Sequence, residues 1–346
     1  MRSRLLLVVV LAACTPQSTA SSRSGGGSQT TTSGGDGSGE IMFEDERDAA
    51  AAPPASPEVT QAENTLAEGR PREARTMLEA VVAAHADDLR AWLDLGLARE
   101  MLDDTAGAEE AYRSALRANP RFAEALNNLG TLLRDTDRLA DGIATLRQAI
   151  EIRPGFASAH LNLGLALEDD GDDAGAATEY RTVMRLAPRE PTSRTQLGLM
   201  LLRQGDQGQA LIELRRALPL AADDRATLSA IGSGLRRAGD PAMAVRALND
   251  AIAADDGAAA PAALTAELAL AQFAAGSRPD AEQTLRGLIA SDASYATSHY
   301  LLANMLAARQ AWADAATEYQ AFLRAAPTAP EAADARGRLT FVQHQH

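Results

Sequence analysis

The side chains able to do acid–base or nucleophilic work are few. Five histidines occur, His85, His160, His299, His344 and His346, together with one cysteine, Cys14. A histidine acting as a base needs a nucleophile or a metal-bound water set against it. No HExxH, GxSxG, P-loop or CxxC spacing supplies one. His160 and His299 fall at a recurring place where Trp92 and Leu126 stand elsewhere, so they read as packing residues. The run Glu168-Asp169-Asp170-Gly171-Asp172-Asp173 invites calcium, but it lacks the alternating ligands and terminal glutamate of an EF-hand loop and reads as a solvated turn. No catalytic residue, metal site or cofactor is expected. Another kind of chemistry lies in Asp94, Asn128, Asn162 and Gln196, spaced 34 residues apart. Asn and Gln each present a donor and an acceptor, which can satisfy the backbone of an extended polypeptide without reading its sequence.

That spacing runs through most of the chain. Leu89 to Phe122 is 34 residues long, and Ala123 to Phe156 repeats it. Trp92, Leu95, Gly96, Ala108, Tyr112, Ala115 and Pro120 become Leu126, Leu129, Gly130, Gly142, Leu146, Ala149 and Pro154. A fixed period of this size marks a stacked repeat architecture. Within each unit, apolar residues at positions 4, 7, 8 and 11 predict a first helix. Gly or Asp at position 15 predicts a turn, as at Gly171, Gly205 and Gly239. Positions 20, 24 and 27 predict a second helix, which Pro or a small residue at position 32 ends. Helices of about 13 residues are marginal alone in water and must bury their stripes on neighbours.

Small residues show how they do so. Position 8 reads Gly96, Gly130, Gly164, Gly198 and Gly232, then Ala269 and Ala303. Glycine inside a helix costs roughly 1 kcal/mol relative to alanine. Five in register imply close helix approach. Position 20 carries the same message in Ala74, Ala108, Gly142, Ala176, Ala210, Ala244, Ala281 and Ala315. Aromatic residues make up 4% of the chain, so the core is Leu- and Ala-rich, as in helix-on-helix packing.

The pattern W-x2-L-G, then a small residue, an aromatic and Pro, resembles the tetratricopeptide repeat. The resemblance implies an all-α, right-handed α-solenoid of about eight helix-turn-helix repeats plus a C-terminal capping helix. The units fall at 55–88, 89–122, 123–156, 157–190, 191–224, 225–258, 262–295 and 296–329, with 259–261 inserted between the sixth and seventh. Residues 330–342 read as the capping helix, which a solenoid needs over its last apolar face, and 343–346 as a tail.

In that family the first helix of each unit lines a concave groove, with positions 2, 5, 6, 9, 12 and 13 facing it. By this resemblance Asp94, Asn128, Asn162 and Gln196, all at position 6, stack as a ladder that breaks at Ala230. The row is similar to the peptide-binding groove of the protein O-GlcNAc transferase repeats; Asn at position 6 also belongs to the general repeat consensus. Asn127, Thr131 and Arg134 add polar groups beside it. Arg203, Arg236 and Arg237, at positions 12 and 13, either form a basic patch for an acidic partner segment or pair with local acids. The Lys/Asn clamp for C-terminal carboxylates is not matched.

The beginning of the chain reads differently. Arg2 and Arg4 precede an apolar run from Leu5 to Ala13, nine residues and too short to span a bilayer. It ends in Leu11-Ala12-Ala13-Cys14. This resembles a bacterial lipoprotein signal, which implies removal of residues 1–13 and lipidation of Cys14. Residues 14–54 read as a lipidated cysteine followed by a Ser/Gly/Thr-rich flexible tether. Within it, Ile41-Met42-Phe43 followed by Glu44-Asp45-Glu46 is either disordered or fraying chain or a docking segment for a partner or for the protein's own groove.

The formal net charge of −14 disfavours nucleic acid and direct adhesion to anionic lipid. The expectation is a non-enzymatic binding scaffold, anchored through Cys14 on the periplasmic face of the outer membrane. It would hold a partner polypeptide in its groove and assist assembly of a secretin, pilus, outer-membrane or motility complex. A second expectation is an adaptor for peptidoglycan hydrolases, and an accessory module of an enzyme is a third. No small-molecule substrate is expected.

Overall fold

The computed structural model describes residues 55–222, 224–254 and 260–345. Among them are seventeen α-helices and no strand. They follow one another as α1 (Pro57–Ala67), α2 (Pro71–Ala84), α3 (Leu89–Glu100), α4 (Thr105–Ala118), α5 (Ala123–Asp135), α6 (Leu139–Ile152), α7 (Ala157–Asp170), α8 (Asp173–Leu186) and α9 (Thr192–Arg203). Then come α10 (Gln207–Ala217), α11 (Arg225–Arg237), α12 (Pro241–Ala253), α13 (Ala262–Ala274), α14 (Arg278–Ser291), α15 (Thr297–Ala308), α16 (Trp312–Ala325) and α17 (Ala332–Gln343). Eight helix pairs and a last single helix make the expected α-solenoid. The signal-peptide reading, Cys14, the tether and the Ile41-Met42-Phe43 triplet lie outside the described residues.

The turn inside each pair is set by two adjacent positions. Position 15 has positive φ in all eight units: glycine in five, including Gly171 (86°) and Gly239 (91°), and Asp103 (59°), Asp137 (59°) and Gln310 (66°) in the others. A left-handed residue closes the first helix. Position 16 then opens the second: Asp104, Asp172, Asp206 and Asp240 each accept from the backbone N–H three residues on, at 2.9 to 3.1 Å. Asp88 and Asp224, at the last position of their units, cap the first helix of the next unit in the same way.

The position-8 glycines sit where the two helices of a pair touch. A Cβ on Gly130, Gly164, Gly198 or Gly232 would lie 2.6 to 2.7 Å from the position-24 side chain of its own unit, respectively Leu146, Tyr180, Leu214 and Leu248. Those four side chains are fully buried. The alanines at position 20 are fully buried as well, Ala74 through Ala315. Each second helix also packs on the first helix of the following unit, and first helices touch in sequence, α5 against α7 and α9 against α11. The core is therefore a chain of clusters handed from unit to unit.

Packing continues across the inserted residues, because Leu264, Leu268 and Ala271 of α13 share one cluster with Leu248 and Ala251 of α12. At the far end α17 buries Ala332, Ala335 and Val342 against the cluster holding Tyr319 and Phe322. Its other face carries Asp334, which accepts from Tyr300 Oη at 2.6 Å and pairs with Arg338 at 2.5 Å. No described helix is long and apolar enough to cross a membrane.

Candidate functional site

The position-6 row is not a set of equal rungs. Asp94 is buried, 2% exposed. Arg90 Nε lies 3.5 Å from its Oδ2, and Arg90 also bonds Glu63 Oε1 at 2.7 Å. Burial pushes the Asp94 carboxyl up to about 8, against the opposing charge of Arg90. Asp94 is thus part of the interior between α1 and α3 and does not line an open face. Asn127 and Thr131 are buried too, at 7% and 4% exposure. The Thr131 hydroxyl donates to the Asn127 carbonyl at 3.0 Å. Asn127 Nδ2 donates to Asn128 Oδ1 at 3.0 Å and its Oδ1 accepts from Asn162 Nδ2 at 2.9 Å. The level ladder from Asn128 to Asn162 is replaced by a diagonal one. What this face leaves open are the half-buried Asn162, through its carbonyl oxygen, and the half-buried Gln196, whose side chain makes no hydrogen bond among the described residues.

The same diagonal governs positions 12 and 13. Arg134 Nε donates to Asp169 at 2.8 Å, and Arg203 donates to Glu168 at 2.8 Å. Each of these partners is 35 residues away, as are Asn127 and Asn162. Neighbouring first helices meet with position n of one unit against position n+1 of the next. Arg236 pairs with Glu267 at 3.1 Å. The proposed basic patch therefore does not form. Arg203 and Arg236 are engaged by acids of adjoining units, and Arg237 stands exposed with no ion pair among the described residues.

Two tyrosines tie this row to the second helices. Tyr112 Oη donates to Glu100 at 2.5 Å, and Tyr180 Oη to Glu168 at 2.7 Å. Both joins run from position 24 to position 12 of one unit. Burial raises Glu100 to about 7. The charge of Asp135 adds to that rise, and the Tyr112 hydrogen bond opposes it. Sequence reasoning missed Glu100 and Tyr112. Their signal was present, since the two units with Glu at position 12, 89–122 and 157–190, both carry Tyr at position 24, whereas the third such tyrosine, Tyr319, shares its unit with Ala307 at position 12 and donates to Asn304 instead.

His160 and His299 are held within their own units. His160 Nδ1 lies 2.5 Å from Glu179 and Nε2 lies 2.9 Å from the Pro154 carbonyl. The hydrogen bond to Glu179 raises its pKa against the cost of burial. His299 meets Glu318 at 2.6 Å, and Arg194 meets Glu213 at 3.0 Å, in the same positions 4 and 23. A histidine or arginine at position 4 with glutamate at position 23 is thus a recurring brace within units. In the acidic run, Glu168 is held by Tyr180 and Arg203, and Asp172 caps α8. Among the described residues no cluster of His, Cys, Asp or Glu is placed to hold a metal ion.

The sequence model of the tetratricopeptide repeat matches residues 59–121, 102–155, 127–191, 161–225 and 266–330. The chain belongs to the tetratricopeptide-repeat family. A comparison with curated proteins gave no match. Among solved structures, a chain of the APC/C hetero-tetramer Cut9–Hcn1 aligns with a TM-score of 0.56 at 15% identity, over 82% of this chain and 55% of its own. PilW, a widely conserved type IV pilus biogenesis factor, aligns at 0.51 and 20% identity, over 57% of this chain and 91% of its own. PilF of Pseudomonas aeruginosa aligns at 0.50 and 19% identity, over 58% and 91%. At these identities the likeness is one of fold. Tetratricopeptide-repeat proteins are in general non-enzymatic scaffolds, and the fold supports a role in binding other proteins.

Proposed function

We propose that this tetratricopeptide-repeat protein is a lipid-anchored scaffold of the cell envelope. It holds a partner polypeptide along its first-helix face and assists assembly of a larger envelope complex. The observation that carries the reading is the hydrogen-bonding capacity left open on adjacent first helices, by Asn162 on α7 and Gln196 on α9. Both are half-buried, so a backbone lying there would be partly desolvated and would need such partners. Asn128 and Arg237 flank the same row.

The envelope placement rests on Arg2, Arg4 and the run Leu11-Ala12-Ala13-Cys14. Thr15 follows the cysteine in place of the Asp that often retains such proteins at the inner membrane. The periplasmic face of the outer membrane is therefore the proposed site. The likeness of fold to PilW, a pilus biogenesis factor, brings pilus-type machinery forward among the candidate complexes.

The test is affinity purification from crosslinked cells with a C-terminal tag, which leaves processing at Cys14 undisturbed. Recovery of a secretin, barrel-assembly or motility component supports the reading, provided that Asn162→Ala with Gln196→Ala reduces it. Recovery of peptidoglycan hydrolases would instead favour an adaptor. Recovery of the protein alone would overturn the scaffold.

A further inference from the structure

A cleft of about 600 Å³ opens between α8 and α10, with α9 behind it. Its apolar lining is Met184, Leu197 and Leu201, and its charged lining is four arginines against two acids. Arg181 and Arg185 come from α8, Arg194 from α9 and Arg216 from α10. In a chain of net charge −14 this is an unusual concentration of positive charge.

The acids nearby are already engaged. Glu213 bonds Arg194 at 3.0 Å and Arg216 at 3.2 Å. Asp206 caps α10 through the Gln209 N–H at 3.0 Å. Glu179 holds His160, and Glu190 accepts from the N–H groups of Thr192 and Ser193 at the start of α9. Arg181 and Arg185 are left exposed, one helical turn apart, with no ion pair among the described residues. The cleft uses positions 4, 7 and 11 of the 191–224 unit, whereas the first-helix face uses 6, 12 and 13. It is a second surface, separate from the proposed groove.

We propose that the cleft binds residues Ile41–Glu46 of this same protein. Between Cys14 and Ala55 the large apolar side chains are Ile41, Met42 and Phe43, and no others. Acids surround them: Glu40 before, and Glu44, Asp45 and Glu46 after. The triplet suits the Met184, Leu197 and Leu201 lining, and the carboxylates suit the two unpaired guanidinium groups, which pair well with carboxylates when geometry allows. Glu46 is nine residues from Ala55, where the described structure begins, a reach of about 30 Å when extended. The occupant is the segment of the same chain, acting in cis within that reach. Seated in the cleft, it shortens the tether and leaves the first-helix face open.

The test titrates a fluorescently labelled peptide of residues 38–50 with the full chain carrying I41S and F43S, which removes the built-in competitor. Saturable binding is expected, weaker at high salt. Adding Arg181→Glu and Arg185→Glu should weaken it about tenfold, with the melting temperature nearly unchanged because both side chains are exposed. A peptide carrying F43S should also bind more weakly. Absence of saturable binding overturns the proposal, as does binding indifferent to the arginines or equal binding of a scrambled acidic peptide. With the unaltered chain, occlusion of the peptide at every protein concentration identifies docking in cis. Concentration-dependent dimers lost in R181E/R185E would instead seat a second copy's segment there and overturn docking in cis.

Discussion

The Tyr180 ring occupies the place where an alanine at position 164 would put its Cβ, with Cε1 2.6 Å from that point. Tyr180 is fully buried and its hydroxyl is held by Glu168 at 2.7 Å, so the ring has little room to retreat. Gly164→Ala gains about 1 kcal/mol of helix propensity and loses about 1–3 kcal/mol to overpacking. A net loss of up to about 2 kcal/mol is expected by urea unfolding. Gly287→Ala is the control. Gly287 lies inside α14 with nothing within 4 Å of a built Cβ, and there the substitution should stabilise by about 0.5–1 kcal/mol.

Gln310 offers a gain from the opposite change. It holds φ at 66° in the position that glycine fills in five of the eight units. A non-glycine residue there carries roughly 1–2 kcal/mol of strain. Gln310→Gly should therefore raise stability by about 0.5–1 kcal/mol, after the larger entropy of the unfolded glycine chain is subtracted. An unchanged or lower unfolding midpoint would count against the strain argument.

Stability should fall as pH rises, because three groups act in the same direction. Burial raises Asp94 from 3.8 to about 8 and Glu100 from 4.5 to about 7. Between those values the folded chain holds protons that the unfolded chain has released, so rising pH favours unfolding. His160 is raised by its bond to Glu179; its contribution is complete below its ordinary 6.5 and is lost as pH climbs through the folded value. Unfolding midpoints should drop from about pH 5 to about pH 9, and Asp94→Asn with Glu100→Gln should flatten the drop by an amount on the order of 1–3 kcal/mol. His160→Gln should cost more at about pH 5.5 than at about pH 9. Equal costs at both would mean that the charged form of the Glu179 pair adds nothing beyond the neutral one.

The repeat, its glycines and its turns were legible in the sequence because each depends on contacts within one unit. Gly164 and Tyr180 are separated by the same spacing as Gly130 and Leu146, so register alone reveals the clash that a side chain would cause. The polar contacts between units were not legible. A period of 34 invites level pairing of Asn128 with Asn162, whereas inclined first helices pair Asn127 with Asn162, Arg134 with Asp169 and Glu168 with Arg203, all 35 apart. That one-residue offset decides which amides are used internally, and it joins Arg203 to an acid that an unshifted ladder would leave apart. The Arg181 and Arg185 cleft was hidden for another reason. It is assembled by three helices, and it is basic only because the neighbouring acids are taken up by caps and braces.

The internal and open amides should respond differently to truncation. Asn127 is buried, donates to Asn128 Oδ1 and accepts from Asn162 Nδ2, so Asn127→Ala removes both bonds and should cost about 1–3 kcal/mol. Gln196 has no hydrogen bond among the described residues to lose, and Gln196→Ala should stay within about 0.5 kcal/mol of the parent. If the first-helix face binds a polypeptide, Gln196→Ala weakens capture of the partner at unchanged stability. A partner held equally well by Gln196→Ala and Asn162→Ala would move the binding surface elsewhere.

The anchor proposal is tested at Cys14. Three acyl chains, as bacterial lipoproteins resembling this one carry, hold a protein at a membrane stably, whereas one chain binds weakly and reversibly. The net charge of −14 disfavours adhesion of the rest of the molecule to anionic headgroups. Cys14→Ala should therefore move the protein from the membrane fraction to the soluble fraction of cell lysates. Retention that is then abolished by high salt would place the attachment in charged contacts of the repeat surface. Retention unaffected by salt would point to a tightly held membrane partner, and either form of retention would remove the lipid from the argument.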